Sequence, residues 1–153
     1  MHPYVVVGLG FGPLVIERLI RLVPADRLDA PTGESRFSPR EVVAHMADWE
    51  PILRQRIVTA LDSPGSPVPL FDEEQMAIEH RYGESDLEAQ LRRLAAERAR
   101  TTDLVKGLTA EQRELTVIHP ERGEITVEDM LGMLIGHDMY HIEQLSAVMA
   151  HPS

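Results

Sequence analysis

The sequence predicts an all-α protein, a single domain folded as a four-helix bundle over residues 1–153. Three observations point there. Four stretches of about 18–25 residues space their apolar side chains three and four apart, the period of a helix with one buried face. Helix-starting signatures precede three of them. The breaks between them are rich in Pro, Gly and Ser, and little of the chain alternates as strands do.

The first element is "YVVVGLGFGPLVIERLIRLV", residues 4–23, ended by Pro24. Its three valines and its glycines, Gly8, Gly10 and Gly12, invite comparison with a dinucleotide-binding turn. That motif needs a strand–helix–strand unit around it, and a Pro/Asp/Gly loop follows instead. Pro13 also stands where the third glycine belongs. The nucleotide reading is set aside, and 4–23 are one helix or an extended arm leading into one. Its small residues suit the close approach of another helix.

The second helix is 38–61. Ser38 is its N-cap, Pro39 its first residue, and Glu41 closes a capping box. Pro51 falls inside and is expected to kink it. "DSPGSPVP", 62–69, ends it, and 70–83 are ambiguous, with a short helix around "DEEQMAIEH". The third helix is 85–108, with Ser85 and Glu88 as its capping box and Gly107 at its end. Residues 109–115 allow one extra turn. Residues 116–124 are a connector turning at Pro120 to Gly123. The last helix, 126–150, opens on Thr126 with Asp129 at the box position.

Composition narrows the function classes. With no cysteine, the chain can form no disulfide, thiolate metal site or cysteine nucleophile, which fits a reducing cytoplasm. A net charge of −10 opposes binding to phosphate backbones, so nucleic acid is not an expected partner. No signal peptide and no membrane span are read, since no run of about 18 uncharged apolar residues occurs.

The informative segment is "GHDMYHIEQL", 136–145. His137 and His141 are four apart, one above the other on a helix. They stand in the apolar stripe Met130, Leu134, His137, His141, Leu145, Val148. The second helix has the stripe Val42, His45 or Met46, Trp49, Leu53, so His45 occupies or borders it. Packed antiparallel, the two stripes face each other. Three buried imidazoles without partners cost free energy, and one divalent ion would satisfy all three. Three ligands leave a coordination position open, as in a catalytic site, and imidazole suits several metals. His2, His80, His119 and His151 are read as exposed. Of the acidic residues nearby (Asp48, Glu50, Asp138 and Glu143), most are read as surface charges. Asp138 is a candidate for acid/base work, and Gln144 for an amide turned toward the cavity. Met46, Trp49, Met133 and Tyr140 are read as packing.

"SPREVVAHMADWE" and "HPERGEITVEDMLGMLIGHDMYHIEQL" together resemble the DinB-like family of four-helix-bundle metalloenzymes, akin to the YfiT-type thiol transferases. The resemblance runs from about residue 12 to 150. It implies metal ligands at His45, His137 and His141, and a divalent metal, Zn or Ni. It also implies a low-molecular-weight thiol such as bacillithiol or mycothiol as co-substrate, a small electrophilic substrate and frequent dimerisation. An exposed apolar face on the first or last helix would mark such a homodimer. Many members have Gly before the terminal Gln, where this chain has Glu143. A metal-dependent hydrolase and a non-catalytic metal- or ligand-binding bundle remain as alternatives.

Overall fold

The computed structural model describes residues 2–34 and 36–150. Among them are six α-helices and one three-stranded sheet. The four long helices are α1 (Pro3–Ile20), α2 (Pro39–Asp62), α4 (Leu87–Lys106) and α6 (Val127–Ala150). The short ones are α3 (Glu73–Glu79) and α5 (Ala110–Arg113), and the strands are β1 (Ser66–Pro67), β2 (Thr116–His119) and β3 (Gly123–Thr126).

Helix starts follow local chemistry. Ser38 and Glu41 form the expected reciprocal box on α2, and Thr126 and Asp129 do the same on α6. Thr109 and Gln112 box the single turn of α5. Asp72 caps α3, within the segment the sequence left ambiguous. One cap is corrected. α4 starts from Asp86, whose side chain accepts from the Ala89 N–H, not from Ser85. Both residues are competent caps, but the Ser85 carbonyl is taken by Arg40 and its N–H by the Tyr82 carbonyl.

The four long helices form a ring. α2 packs on α4 and α6, and α1 packs on the same two, so α1 and α2 are diagonal. Directions follow from paired residues. Arg40 reaches the Ser85 carbonyl, and Asp48 and Arg54 pair with Arg93 and Glu97, so α2 and α4 are parallel. Leu9 clusters with Met130 and Leu134, and Ile16 and Ile20 with Leu145 and Val148, so α1 and α6 are parallel too. α2 and α6 are antiparallel, as expected from their stripes: Ala60 joins the cluster of Met130, while Val42 joins that of Val148.

The connector 116–124 is corrected from loop to hairpin. β2 and β3 pair antiparallel, Val117 with Ile125, and β1 adds in parallel, Ser66 with Val117. Gly123 takes φ +72° where the hairpin re-enters β3, a conformation glycine adopts without strain. Val68, Val117 and Ile125 close one end of the core with Ile57, Val105 and Val127. Pro51 lies inside α2 and Pro13 inside α1.

α1 also qualifies the membrane reading. It is long and apolar enough to cross a membrane by length and composition, with mean hydropathy 1.5, although Glu17 and Arg18 interrupt the uncharged run. In the fold its Leu9, Gly12, Ile16 and Ile20 are buried against α4 and α6.

Candidate metal centre

α2 and α6 bring the three expected histidines together. His45 Nε2 lies 3.0 Å from His137 Nε2, which lies 3.1 Å from His141 Nε2. His45 and His141 are buried and His137 half-buried. Burial pushes the His45 imidazole down to about 2, with His137 and His141 adding to the effect. Burial, with His141 and Arg98, pushes His137 down to about 3. His141 is lowered by burial, against support from Gln144 and Asp138. All three are therefore neutral at pH 7, the form that binds metals.

Their protons cannot be arranged well. His141 Nδ1 lies 2.9 Å from Gln144 Oε1. The Gln144 amide nitrogen donates to Thr32 Oγ1 and the Phe37 carbonyl, which fixes the amide's orientation. His141 thus donates from Nδ1 and offers a lone pair at Nε2. If His137 donates to it, His45 must also present a lone pair, and its Nδ1–H is buried without a partner. If His45 donates to His137 instead, two lone pairs face each other at 3.1 Å. A divalent cation accepts all three lone pairs. Of the trio's buried ring nitrogens, His45 Nδ1 alone then lacks a partner among the described residues, and it lies among the rings of Phe37, Trp49 and Tyr82. In a tetrahedral zinc site, nitrogens at about 2.0–2.1 Å from the metal lie about 3.3 Å apart. The trio fits such an ion.

The other expected residues fall differently. Gln144 is buried and borders the site, as its spacing suggests, where it orients His141. Asp138 is buried with both oxygens on Arg98, at 2.6 and 2.8 Å. Its carboxylate is committed to this pair, so the acid/base role foreseen for Asp138 is corrected to a structural one. Asp48 and Glu50 are buried as well, not surface charges. Asp48 meets Arg93 and His80, and Glu50 meets Arg98 at 2.9 Å. Glu143 is exposed. Of the remaining histidines, His2 is exposed and caps α1. His80 is exposed, with Nδ1 on Asp48. His119 is buried, against expectation, because β2 turns it inward beside the candidate site. His151 lies outside the described residues.

Two cavities meet at His137. One, of about 310 Å³, has the walls Trp49, Leu53, Phe71 and Met133, with Arg56, His119 and Arg122. The other, of about 350 Å³, is bordered by all three histidines with Arg36, Tyr140 and Gln144. Glu73 borders both. Trp49, Met133 and Tyr140 are thus cavity residues, while Met46 is packed in the core. The sequence reading missed Arg56, Glu73 and Arg36. Arg56 had a signal, since it continues the α2 stripe of Trp49 and Leu53 at the same spacing.

Comparison with known proteins agrees with this architecture. OB0413 of Oceanobacillus iheyensis is 28% identical over 120 residues, covering 78% of this chain and 69% of its own. YfiT of Bacillus subtilis is 25% identical over 135 residues, 88% of this chain and 76% of its own. The solved YfiT structure, described as a four-helix bundle of unusual topology, superposes with a TM-score of 0.90 at 23% identity, covering 95% of this chain and 83% of that one. A mycothiol-dependent maleylpyruvate isomerase superposes with a TM-score of 0.75 at 14% identity, over 93% of this chain and 59% of its own. The family model of the DinB superfamily matches residues 15–145, and the chain belongs to that superfamily.

Proposed function

We propose that this protein is a divalent-metal-dependent enzyme that transfers a low-molecular-weight thiol to a small electrophile. One observation carries the reading: two separate cavities, each large enough for a small molecule, share His137 of the histidine trio. Two organic substrates meeting at one centre need two such cavities.

His45, His137 and His141 would hold the ion, Zn or Ni. When bound, such an ion supplies Lewis acidity and lowers the pKa of a thiol or water in its open position. The chain supplies the rest. Gln144 holds the His141 ring in one tautomer and orientation. Arg36, Tyr140 and Gln144 offer a polar cavity to the thiol, and Trp49, Leu53, Phe71 and Met133 an apolar one to the electrophile. Glu73 faces both, and burial holds its carboxyl above the usual range, against the pull of Arg122. It is the residue placed to take the thiol proton. The sulfur–carbon bond then forms as the leaving group departs with its electron pair.

A hydrolytic reading has support of a different kind. OB0413 and YfiT are named, provisionally, as metal-dependent hydrolases. Water needs no cavity of its own, so the second cavity favours transfer.

The test begins with elemental analysis of the untagged protein beside His141→Ala. The reading expects about one equivalent of metal per chain, lost in the variant. The loaded protein is then given bacillithiol or mycothiol with an activated aryl halide, and separately an ester. Thioether formation that depends on His141 supports transfer, and ester cleavage without thioether supports the hydrolase. No metal in either protein, even after incubation with Zn and Ni, refutes both.

A further inference from the structure

Arg56 is a buried cation without a counter-ion. It is 4% exposed and has no ion-pair partner among the described residues. Its Nη2 donates to the Pro69 carbonyl at 3.2 Å, its guanidinium carbon lies 5.6 Å from the centre of the Trp49 ring, and its Nε has no partner. Buried charges are ordinarily paired, because desolvating one alone is costly. Arg98 in the same protein meets that rule with two carboxylates.

A second, independent oddity lines the same cavity. His119 Nδ1 accepts from the Glu121 backbone N–H, so the neutral ring carries its proton on Nε2. That Nε2 lies 3.4 Å from Arg122 Nη1, which is also a donor. Two donors stand side by side with no acceptor between them. An oxyanion is the group that satisfies both, together with Arg56. Glu73 and Glu121 also border the cavity, but neither forms an ion pair with Arg56 or Arg122 among the described residues.

We propose that this cavity recognises the carboxylate of a small organic acid. The acid group lies on Arg56, Arg122 and His119, and the apolar body runs along Trp49 and Met133 toward His137. The planar guanidinium fork matches a carboxylate, and the apolar walls call for a carbon skeleton more than for free phosphate. The assignment rests on the proposed function only in taking His137 as the reacting end.

Trp49 is the chain's one tryptophan, so its fluorescence reports this cavity. The metal-loaded protein is titrated with hexanoate, with uncharged hexanamide and with inorganic phosphate. A saturable response to hexanoate, at least about tenfold tighter than to the other two, is expected. Arg56→Gln and Arg122→Gln should each weaken hexanoate about tenfold or more while keeping their metal content. Arg122 is exposed, so its variant decides the matter if Arg56→Gln fails to fold. Equal responses to hexanoate and hexanamide, tighter phosphate binding, or full hexanoate affinity in Arg122→Gln would each overturn the proposal. Hexanoate binding that is lost on removing the metal but kept in both arginine variants also overturns it, since the carboxylate then sits on the ion. A parent that binds hexanoate through its arginines yet carries no metal supports this site and refutes the proposed enzyme.

Discussion

Gly12→Ala tests how the first helix is seated. In most helices this change stabilises, because glycine costs about 0.5–1 kcal/mol relative to alanine. Gly8 and Gly10 should behave that way, since a Cβ at either meets nothing within 4 Å. Gly12 differs. A Cβ there would stand 2.1 Å from Asp138 Oδ2 and 2.8 Å from Arg98 Nη1. Those atoms are side-chain ends, but they are not free to move. Arg98 Nη1 donates to Asp138 and to the Leu9 carbonyl, and its Nη2 to Asp138 and Glu50. Making room means breaking at least part of this buried network. Breaking a buried ion pair costs about 3–5 kcal/mol, so the net loss, after the helix gain, is about 2–4 kcal/mol. With a urea slope of about 2 kcal/mol/M, the unfolding midpoint should drop by about 1–2 M. Gly8→Ala and Gly10→Ala should raise it by a few tenths of a molar, on the same slope. A Gly12→Ala midpoint at or above the parent's would refute the packing described here.

Three further expectations follow. In metal-free protein, His45 and His137 are neutral in the fold down to about 2 and about 3, while the unfolded chain protonates them near 6.5. The unfolded state therefore binds more protons in between, so stability is full above pH 6.5 and falls as pH drops toward 3. Urea midpoints across pH 7 to 4 should show this fall, shallower in His45→Gln, and a parent and variant with identical slopes would contradict it. Gln144→Leu removes the acceptor that orients His141 and should lower metal affinity about 10–100-fold by chelator competition, with Gln144→Glu close to the parent. A homodimer through α1 is expected from its unpartnered apolar stripe, with Tyr4 77%, Val7 47%, Phe11 57% and Leu14 45% exposed. Sedimentation should find a dimer in the parent and a monomer of unchanged Tm in Phe11→Glu, and a monomeric parent would reject it.

What could be read in the sequence was local or periodic. Ser38 with Glu41 and Thr126 with Asp129 are capping boxes whose partners lie three residues apart. The histidine trio was legible because His137 and His141 share one stripe and His45 lies on another. The sheet was not, because β2 and β3 are only four residues each, too short for their alternation to stand out, and β1, two residues long, pairs with β2 across the chain from Ser66 to Val117. The charged side chains were misread for the same reason. Arg98 falls in the α4 stripe with Leu91, Leu94 and Val105, where an apolar residue is expected. Its carboxylates come from α2 and α6. A charge at a stripe position reads as noise until its partner on another helix is known. Arg56 and Glu50 on α2 carried that signal too, and reading stripes for charges as well as for histidines would have found them.

The Arg98 network also bears on why the histidines converge. Asp138 directly follows His137 on α6, and Glu50 lies five residues after His45 on α2. Arg98, on α4, holds both carboxylates and the Leu9 carbonyl of α1. One guanidinium thus ties all four long helices at the level of the site. Apolar packing alone would tolerate a helix that rotated or slid by a fraction of a turn, since Leu and Val contacts are non-directional. Charge-assisted hydrogen bonds are directional, so they fix the rotation of α6 and its height against α2. Those two variables set the 3.0 Å between His45 Nε2 and His137 Nε2, whereas the 3.1 Å between His137 and His141 is internal to α6. A buried ion triad is weak evidence for stability, because apolar residues of similar volume often serve as well. Here it joins the two histidine-bearing helices beside the histidines themselves, and Gly12 supplies the space on α1 that lets it form.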